Sequence, residues 1–383
     1  MKRKICHITT VHNVFDTRIF YKECNSLKEN GYDVYLIAIA ENLTEINGIK
    51  IISLKKPKNR FLRFIFTNLH AFIKAIKLKA DVYHFHDPEF IFWGFILKMI
   101  LRKKIIYDVH EDYPGEILIK DWIPTKLLKV IISKIFSIIE SLLSSRFDAL
   151  ILAQETYLKR FKNYRNQIII LNNYPIIKNY SIDYKKNDNR KDSFNMIYSG
   201  SITVERGVWI MIKTIELLIK NKKNIKLYLV GYFPNKSLYE DITKYIENKN
   251  LTENVIIYGG NRFVKREEID KIYTYMDVGL VIFPYNNYFS DKILTKFFEY
   301  MLYELPIIAT DFPLWKEFMT QNRCGLVVSP ENLEEISNKI YYLMKNESLR
   351  KEMGKFGREI VLKAYNWDNE KIKLLNLYRY LQC

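Results

Sequence analysis

The stretch Ser290-Asp291-Lys292-Ile293-Leu294-Thr295-Lys296-Phe297-Phe298-Glu299-Tyr300-Met301, followed by Leu305-Pro306-Ile307-Ile308-Ala309-Thr310, reads as a loop, a helix and a buried strand. Val278 to Phe283 before it is another apolar run of strand length. Strand, helix and strand in this order make a βαβ unit, whose strands lie parallel in one sheet. In an open parallel sheet, the loop from a strand's carboxyl end to the next helix faces the ligand crevice. Asp291 falls in that loop and Glu299 one turn into the helix. Ionised carboxylates only accept hydrogen bonds and sugar hydroxyls donate them, so the pair suits a hydroxyl-rich ligand. The same acids also read as an exposed loop Asp and a Glu favoured by the positive end of a helix.

The alternation extends outward in both directions. Asn195 to Tyr198, Ile225 to Val230, Asn254 to Tyr258, Pro306 to Thr310 and Gly325 to Val328 are further strand candidates on this side of the chain. Ile5 to Thr10, Asp33 to Ala40, Val82 to His86, Lys104 to Val109, Ala149 to Ala153 and Ile168 to Leu171 form a similar set nearer the start. Helical periods separate most of them, which predicts an α/β class with two doubly wound parallel sheets. Asn179 to Asp192 is polar and reads as the linker. The expected domains are residues 1–180 and 190–365, with a last helix near 366–383 that either returns to the first domain or ends the second.

A chain of 383 residues favours two cores over one. Hydrophobic content of 48% and charged content of 27% are those of a globular protein. The formal charge of +17 points to an anionic partner: nucleotide phosphates, an anionic membrane or nucleic acid. No recognition helix, zinc finger or aromatic RNA-binding signature supports nucleic acid. Cys6, Cys24, Cys324 and Cys383 lack C-x-x-C and metal-ligand spacing, which fits a reducing cytosol. The apolar start is interrupted by His7, Thr9, Thr10 and His12, unlike a signal peptide. The apolar run Phe90 to Leu97 falls far short of the ~20 residues that span a bilayer.

Two segments suit a membrane surface. Lys55 to Lys79 holds eight Lys or Arg and no acid, interleaved with Phe61, Phe64, Ile65, Phe66 and Phe72. Trp122 to Leu143 has a polar stripe at helical spacing, Lys126, Lys129, Ser133, Ser137, Glu140 and Ser141; its wide apolar face reads first as core and second as membrane contact.

Other candidate site residues cluster at strand ends. Tyr198-Ser199-Gly200-Ser201-Ile202-Thr203-Val204-Glu205-Arg206-Gly207 is a strand-to-helix turn, either a plain tight turn or a place where amides, helix dipole and Arg206 meet a phosphate. His12, Asp16 and Arg18 follow the first strand, as ligand contacts or as a capped and paired helix start. Tyr83-His84-Phe85-His86-Asp87 and Tyr107-Asp108-Val109-His110-Glu111-Asp112 end two more strands. His110 reads alternatively as a core histidine satisfied by a carbonyl.

Together these segments resemble glycosyltransferase family 4, retaining enzymes of the GT-B fold, in which two Rossmann-like domains face a central cleft. Asp291 stands where that family usually has the first Glu of Glu-x7-Glu, and Glu299 matches the second. Arg206-Gly207 matches the family's Lys-Gly, whereas Ser201 replaces its Arg; Lys296 is the candidate for the missing charge. Leu171-Asn172-Asn173-Tyr174-Pro175 looks like the family's Asn-x-x-Pro turn. The resemblance implies a donor site of Gly200, Ser201, Arg206, Lys296 and Glu299, and a catalytic set of His110, Asp291 and Glu299. It also implies an acceptor side of His12, Asp16, Arg18, His86, Asp87, Glu111 and Asp112. The expected activity is transfer of a sugar from a nucleotide-sugar donor, UDP-linked by family frequency, to a glycan or polyprenyl-linked acceptor in cell-surface polysaccharide synthesis. No cofactor is expected, and with no Asp-x-Asp motif, no metal. The expected place is the cytoplasm, at the inner face of an anionic membrane, without nucleic acid. A nucleotide-sugar epimerase of the same fold and an inactive nucleotide- or glycan-binding module are the alternatives.

Overall fold

A computed structural model describes residues 2–41, 43–120, 123–162, 164–177, 193–220 and 224–381. The chain divides into two units, Met1–Ile176 with Trp367–Cys383, and Ile177–Asn366. The expected linker 179–192 lies outside the described residues, as do Trp122 and Cys383.

Among its described residues the first unit holds eight strands: β1 (Lys4–Asn13), β2 (Asp33–Ile39), β3 (Glu45–Ile46), β4 (Ile49–Leu54), β5 (Val82–Phe85), β6 (Lys104–Val109), β7 (Ala149–Leu152) and β8 (Gln167–Ile170). Their spatial order is β3-β4-β2-β1-β5-β6-β7-β8, parallel throughout except β3 on β4. The order reverses direction between β1 and β5, so the crevice for a ligand lies at the carboxyl ends of those two strands. Pairing there sets His7 of β1 opposite His84 of β5, and His84 opposite Ile106 of β6.

Alternation along the strands separates two cores. One face carries Cys6, Ile8, Tyr83, Phe85, Tyr107 and Val109, covered by helices including Asn68–Leu78 and Ile91–Leu101. The opposite face carries Ile5, Val82 and Ile106, and the last helix, Trp367–Tyr380, packs on it through Leu374, Leu377 and Tyr378. That helix is fastened at its start. Trp367 N–H donates to the Pro175 carbonyl (2.8 Å), its indole donates to Ser26 Oγ (2.9 Å), and Glu370 accepts from the Asn172 amide (2.7 Å). Each large side chain it buries contributes roughly 1.5–3 kcal/mol.

The second unit holds β9 (Phe194–Ser199), β10 (Ile225–Tyr232), β11 (Val255–Gly260), β12 (Val278–Val281), β13 (Ile307–Thr310) and β14 (Gly325–Val328). The order β11-β10-β9-β12-β13-β14 is wholly parallel, with its reversal between β9 and β12. Two glycines permit the close approach at that point. Gly231 (φ +152°) ends β10 where a Cβ would lie 1.9 Å from the Gly200 carbonyl oxygen. Gly207 (φ +75°) opens the helix Val208–Ile219 where a Cβ would lie 1.8 Å from the Ile282 carbonyl oxygen.

The sequence reading omitted β3 and β4. Asn47 and Gly48 between them both take positive φ, as a two-residue hairpin turn requires, so the Asn-Gly pair was the available signal.

The helix Lys126–Ser144 inverts the expected packing. Ser133 and Glu140 of its polar stripe are buried, as is Ser144, while Lys126 and Ser141 stay exposed: Ser133 Oγ donates to the Pro114 carbonyl, and Glu140 accepts from Tyr107 Oη at 2.8 Å and pairs with Arg160. Its apolar residues point out, with Leu127 71%, Ile138 67% and Leu142 64% exposed. No helix among the described residues is long and apolar enough to cross a membrane.

Candidate functional site

In the second unit the candidate residues gather beyond β9. The turn after β9 bends at Gly200 (φ +123°), whose N–H donates to the Val230 carbonyl (2.9 Å). A methyl group on Gly200 would meet Lys296 Nζ at 3.5 Å and Arg206 Nη1 at 3.7 Å, so both cations flank this glycine. Lys296 comes from the helix Thr295–Leu302, donates to the Ser199 carbonyl (2.8 Å) and lies 3.9 Å from the Tyr198 ring centre. Burial, then the neighbouring Arg206 charge, push the Lys296 ammonium well below the usual lysine range. A buried ammonium beside a guanidinium is unfavourable without an anion, and an anion arriving at Gly200 would relieve both. Ser201 stands next in the turn, its carbonyl accepting from Tyr198 Oη (2.9 Å).

Glu299 lies one turn further along the same helix, with one oxygen paired to Arg266 and the other accepting from Tyr273 Oη (3.1 Å). Burial alone would raise its carboxyl; the Arg266 charge and these hydrogen bonds outweigh burial and hold it below the ordinary value. Asp291 follows the short turn Asn287–Ser290 and is exposed, accepting from Ser290 Oγ (3.1 Å). It lines an open pocket with Tyr285, Asn286, Asn287, Ser290, Phe312 and Pro313.

In the first unit, the carboxyl ends of β1, β5 and β6 bring together His7, His12, Arg18, Glu23, His84, His86, Asp87, Asp108 and His110. Arg18 donates Nε and Nη2 to both oxygens of Asp108 (3.0 and 2.9 Å) and Nη1 to the Leu171 carbonyl (2.7 Å). Asp108 Oδ2 also lies 2.8 Å from His110 Nε2 and 3.3 Å from His86 Nδ1. Burial opposes charge on Asp108, yet Arg18, His110 and His86 hold it well below the usual carboxylate range. His110 is only partly buried and is the member of this chain that reaches toward solvent, beside His12 (ring centres 5.5 Å apart).

Several acceptor-side candidates are engaged within the protein. Arg18 is buried and spent on Asp108, because an unpaired guanidinium cannot stay away from water. Asp87 is buried too, and its Oδ2 accepts from Thr9 Oγ1 (2.9 Å) and from the Thr10 and Val11 amides (2.5 and 3.2 Å); it pins the loop after β1. His86 is buried between His7 and Asp108. Asp112 is tied to Arg160 at 2.9 Å. Asp16 caps the helical segment Thr17–Cys24, accepting from the Arg18 and Ile19 amides, and reaches His12 at 3.6 Å. His12, Asp16 and His110 are half-buried and Glu111 is exposed at this edge. His110 is satisfied by a carboxylate and not by a carbonyl.

Asp108, Glu23, Arg266 and Tyr273 were not singled out from sequence. Asp108 had a signal, an acid inside the apolar run Ile105 to Val109. Arg266 had none, since Arg266-Glu267-Glu268 reads as a solvated helix start.

Two family models match this chain in tandem: Glycosyltransferase Family 4 over residues 17–173 and Glycosyl transferases group 1 over residues 180–360. The chain belongs to glycosyltransferase family 4. Curated relatives include poly(ribitol-phosphate) α-N-acetylglucosaminyltransferase of Staphylococcus aureus, 26% identical over 44% of this chain and 32% of that protein. The capsular polysaccharide biosynthesis glycosyltransferase CapM of Staphylococcus aureus is 22% identical over 48% of this chain and 46% of its own length. The chain thus spans about a third to a half of these curated relatives. Among solved structures, Anabaena HepE in complex with UDP superimposes with a TM-score of 0.73 at 13% identity, covering 99% of this chain and 100% of its own. The fold of this family 4 chain is therefore GT-B, with one Rossmann-like parallel sheet in each unit.

Proposed function

We propose that this chain transfers a sugar from a nucleoside diphosphate to a glycan or lipid-linked saccharide acceptor, with retention, during cell-surface polysaccharide synthesis. One observation carries the reading: Lys296 and Arg206 converge on Gly200 at the strand reversal of the second sheet. This is a cationic, backbone-lined cradle of the kind that holds a diphosphate. The complex of HepE with UDP, and the poly(ribitol-phosphate) and capsular polysaccharide named for the two Staphylococcus aureus relatives, support a nucleotide donor and a surface-polymer acceptor.

In this reading the acceptor oxygen bonds to the anomeric carbon as the bond from that carbon to the diphosphate oxygen breaks. The electron pair leaves with the diphosphate, and the acceptor proton passes to a leaving phosphate oxygen. Arg206 and Lys296 stabilise the charge that develops there, so the transfer step itself calls for no metal. Glu299 accepts from the nucleotide's ribose hydroxyls and Asp291 from the sugar's. His110 contacts the transferred sugar, its ring oriented by Asp108.

The acceptor is proposed to arrive at an anionic membrane. The outward apolar row of Lys126–Ser144 and the exposed aromatics Phe61, Phe64 and Phe66 support this, beside exposed Lys55, Lys56, Lys58, Lys126 and Lys134. Both segments border the same layer, since helix Asn68–Leu78 packs on Ile91–Leu101, which packs on Lys126–Ser144. Arg63, by contrast, is engaged by Glu89 at 2.6 Å.

A thermal-shift screen of nucleoside diphosphates and their sugar conjugates tests the donor reading. The true donor raises the melting temperature of the wild type and not that of Glu299→Ala. A screen in which no nucleotide stabilises the protein overturns it.

A further inference from the structure

Behind His110, away from solvent, lies a group of side chains that sugar transfer does not use. His7 of β1, His84 and His86 from β5 and its end, and Glu23 from Thr17–Cys24 are all buried on the face covered by the last helix. Four of their atoms lie within 4.8 Å of one another, one from each residue. Glu23 Oε2 is 3.7 Å from His84 Nε2 and 4.0 Å from His7 Nδ1, and His7 Nδ1 is 2.9 Å from His86 Nε2. These edges bracket the roughly 3.3–3.4 Å edge of a tetrahedron with 2.0–2.1 Å metal–ligand bonds. Glu23 Oε2 and His84 Nε2 have no hydrogen-bond partner although both are shut off from water, while Glu23 Oε1 faces Arg18 Nε. Buried polar atoms of this kind call for an explanation.

We propose that His7 Nδ1, His84 Nε2, His86 Nε2 and Glu23 Oε2 form a buried, four-coordinate site for a zinc-class divalent cation. The far nitrogen of each imidazole has an acceptor in place, as ligating histidines require. His84 Nδ1 lies 2.9 Å and His7 Nε2 3.4 Å from Tyr378 Oη, while His86 Nδ1 lies 3.3 Å from Asp108 Oδ2. One tautomer of each ring therefore points an unprotonated nitrogen inward. Charge agrees with geometry. Arg18 is a single cation beside two buried carboxylates, Asp108 and Glu23 (Nε to Glu23 Oε1, 3.1 Å), and leaves one negative charge uncompensated. Three neutral imidazoles and one carboxylate suit zinc-class ions better than magnesium or calcium. The site closes on all four protein ligands, so its work is structural: it ties β1, β5 and the segment carrying Glu23 together beneath His110.

The competing occupant is a single proton on Glu23. Metal analysis of untagged, full-length protein separates the two. The expected results are one zinc-class ion per chain and, after its removal, a rise in melting temperature on adding Zn²⁺. Reconstitution with Co²⁺ should give the visible bands of a four-coordinate ion. His84→Asn and Glu23→Gln should lower metal content severalfold, while His70→Ala, at an exposed histidine, should keep it. Folded wild-type protein that carries no metal, gains no stability from Zn²⁺ and shows no Co²⁺ bands overturns the proposal whatever the variants do. Equal metal loss from His70→Ala also overturns it.

Discussion

Lys296 Nζ donates to the Ser199 carbonyl at 2.8 Å, and this bond carries the ammonium from a helix to the end of the first strand in its sheet. Ser201, where the family has an Arg, leaves the turn itself one cation short; Lys296 reaches the same place from the opposite side of the reversal. The Arg206 charge it meets there makes the cradle costly when empty.

Lys296→Met keeps length and removes the charge. The melting temperature without ligand is expected to hold or rise, because a desolvated ammonium is lost. Donor affinity should fall roughly 10- to 150-fold, the worth of one charged hydrogen bond of about 1.5–3 kcal/mol. Calorimetric titration with the donor checks this; unchanged affinity would remove Lys296 from the cradle.

Glu299 gives a pH dependence of known sign. Its folded carboxyl sits below the unfolded value, so the stability it adds is complete above the ordinary glutamate range. That stability drains away as pH falls through the lower folded value. The urea midpoint of the wild type should exceed that of Glu299→Gln near pH 7 and converge with it in acid. A constant gap across pH would show that the Arg266 pair is not ionic.

Arg18→Met leaves Asp108 charged and buried without its bidentate partner. Breaking such a pair costs about 3–5 kcal/mol. Denaturant unfolding should show a loss of that size, and Arg18→Lys should recover only part of it, since an ammonium cannot form the two parallel bonds.

Gly207→Ala places a methyl group on the Ile282 carbonyl at a positive φ. A loss of about 3 kcal/mol is expected. A neutral Gly207→Ala would mean that the start of Val208–Ile219 is free to shift.

Ile135→Asp with Ile138→Asp tests the inverted helix. Both side chains are exposed, so folding stability should change by no more than about 0.5 kcal/mol per site. Cosedimentation with anionic vesicles should fall at least roughly tenfold, because each apolar side chain contributes about 1.5–3 kcal/mol when buried. Undiminished binding would exclude this face; concentration-dependent dimers of the wild type that the variant lacks would assign it to a second copy.

Strand identity was legible locally because a buried parallel strand needs a mostly apolar run, as Val278 to Phe283 has throughout and Ile105 to Val109 has except at Asp108. The hairpin Glu45 to Leu54 was missed although Asn47-Gly48 announces it, because one strand has only two residues and the other is interrupted by Lys50 and Ser53. The direction in which the polar stripe of Lys126–Ser144 faces was not legible at all. Periodicity reports that a helix has two faces, but which one turns inward depends on partners such as Tyr107, Pro114 and Arg160.

By itself the sequence determined two parallel α/β sheets, the acids and cations at their strand ends and the kinship with family 4, since all of these follow from local pattern and short motifs. Only the tertiary structure decided which charged groups are free to meet a ligand. Arg18, Asp87 and His86 carry the same chemistry as Arg206 and His110 on paper. Burial in a medium of low dielectric forces the first three to spend their hydrogen bonds on other buried side chains and on the backbone. Arg206 and His110 lie nearer solvent and keep that capacity.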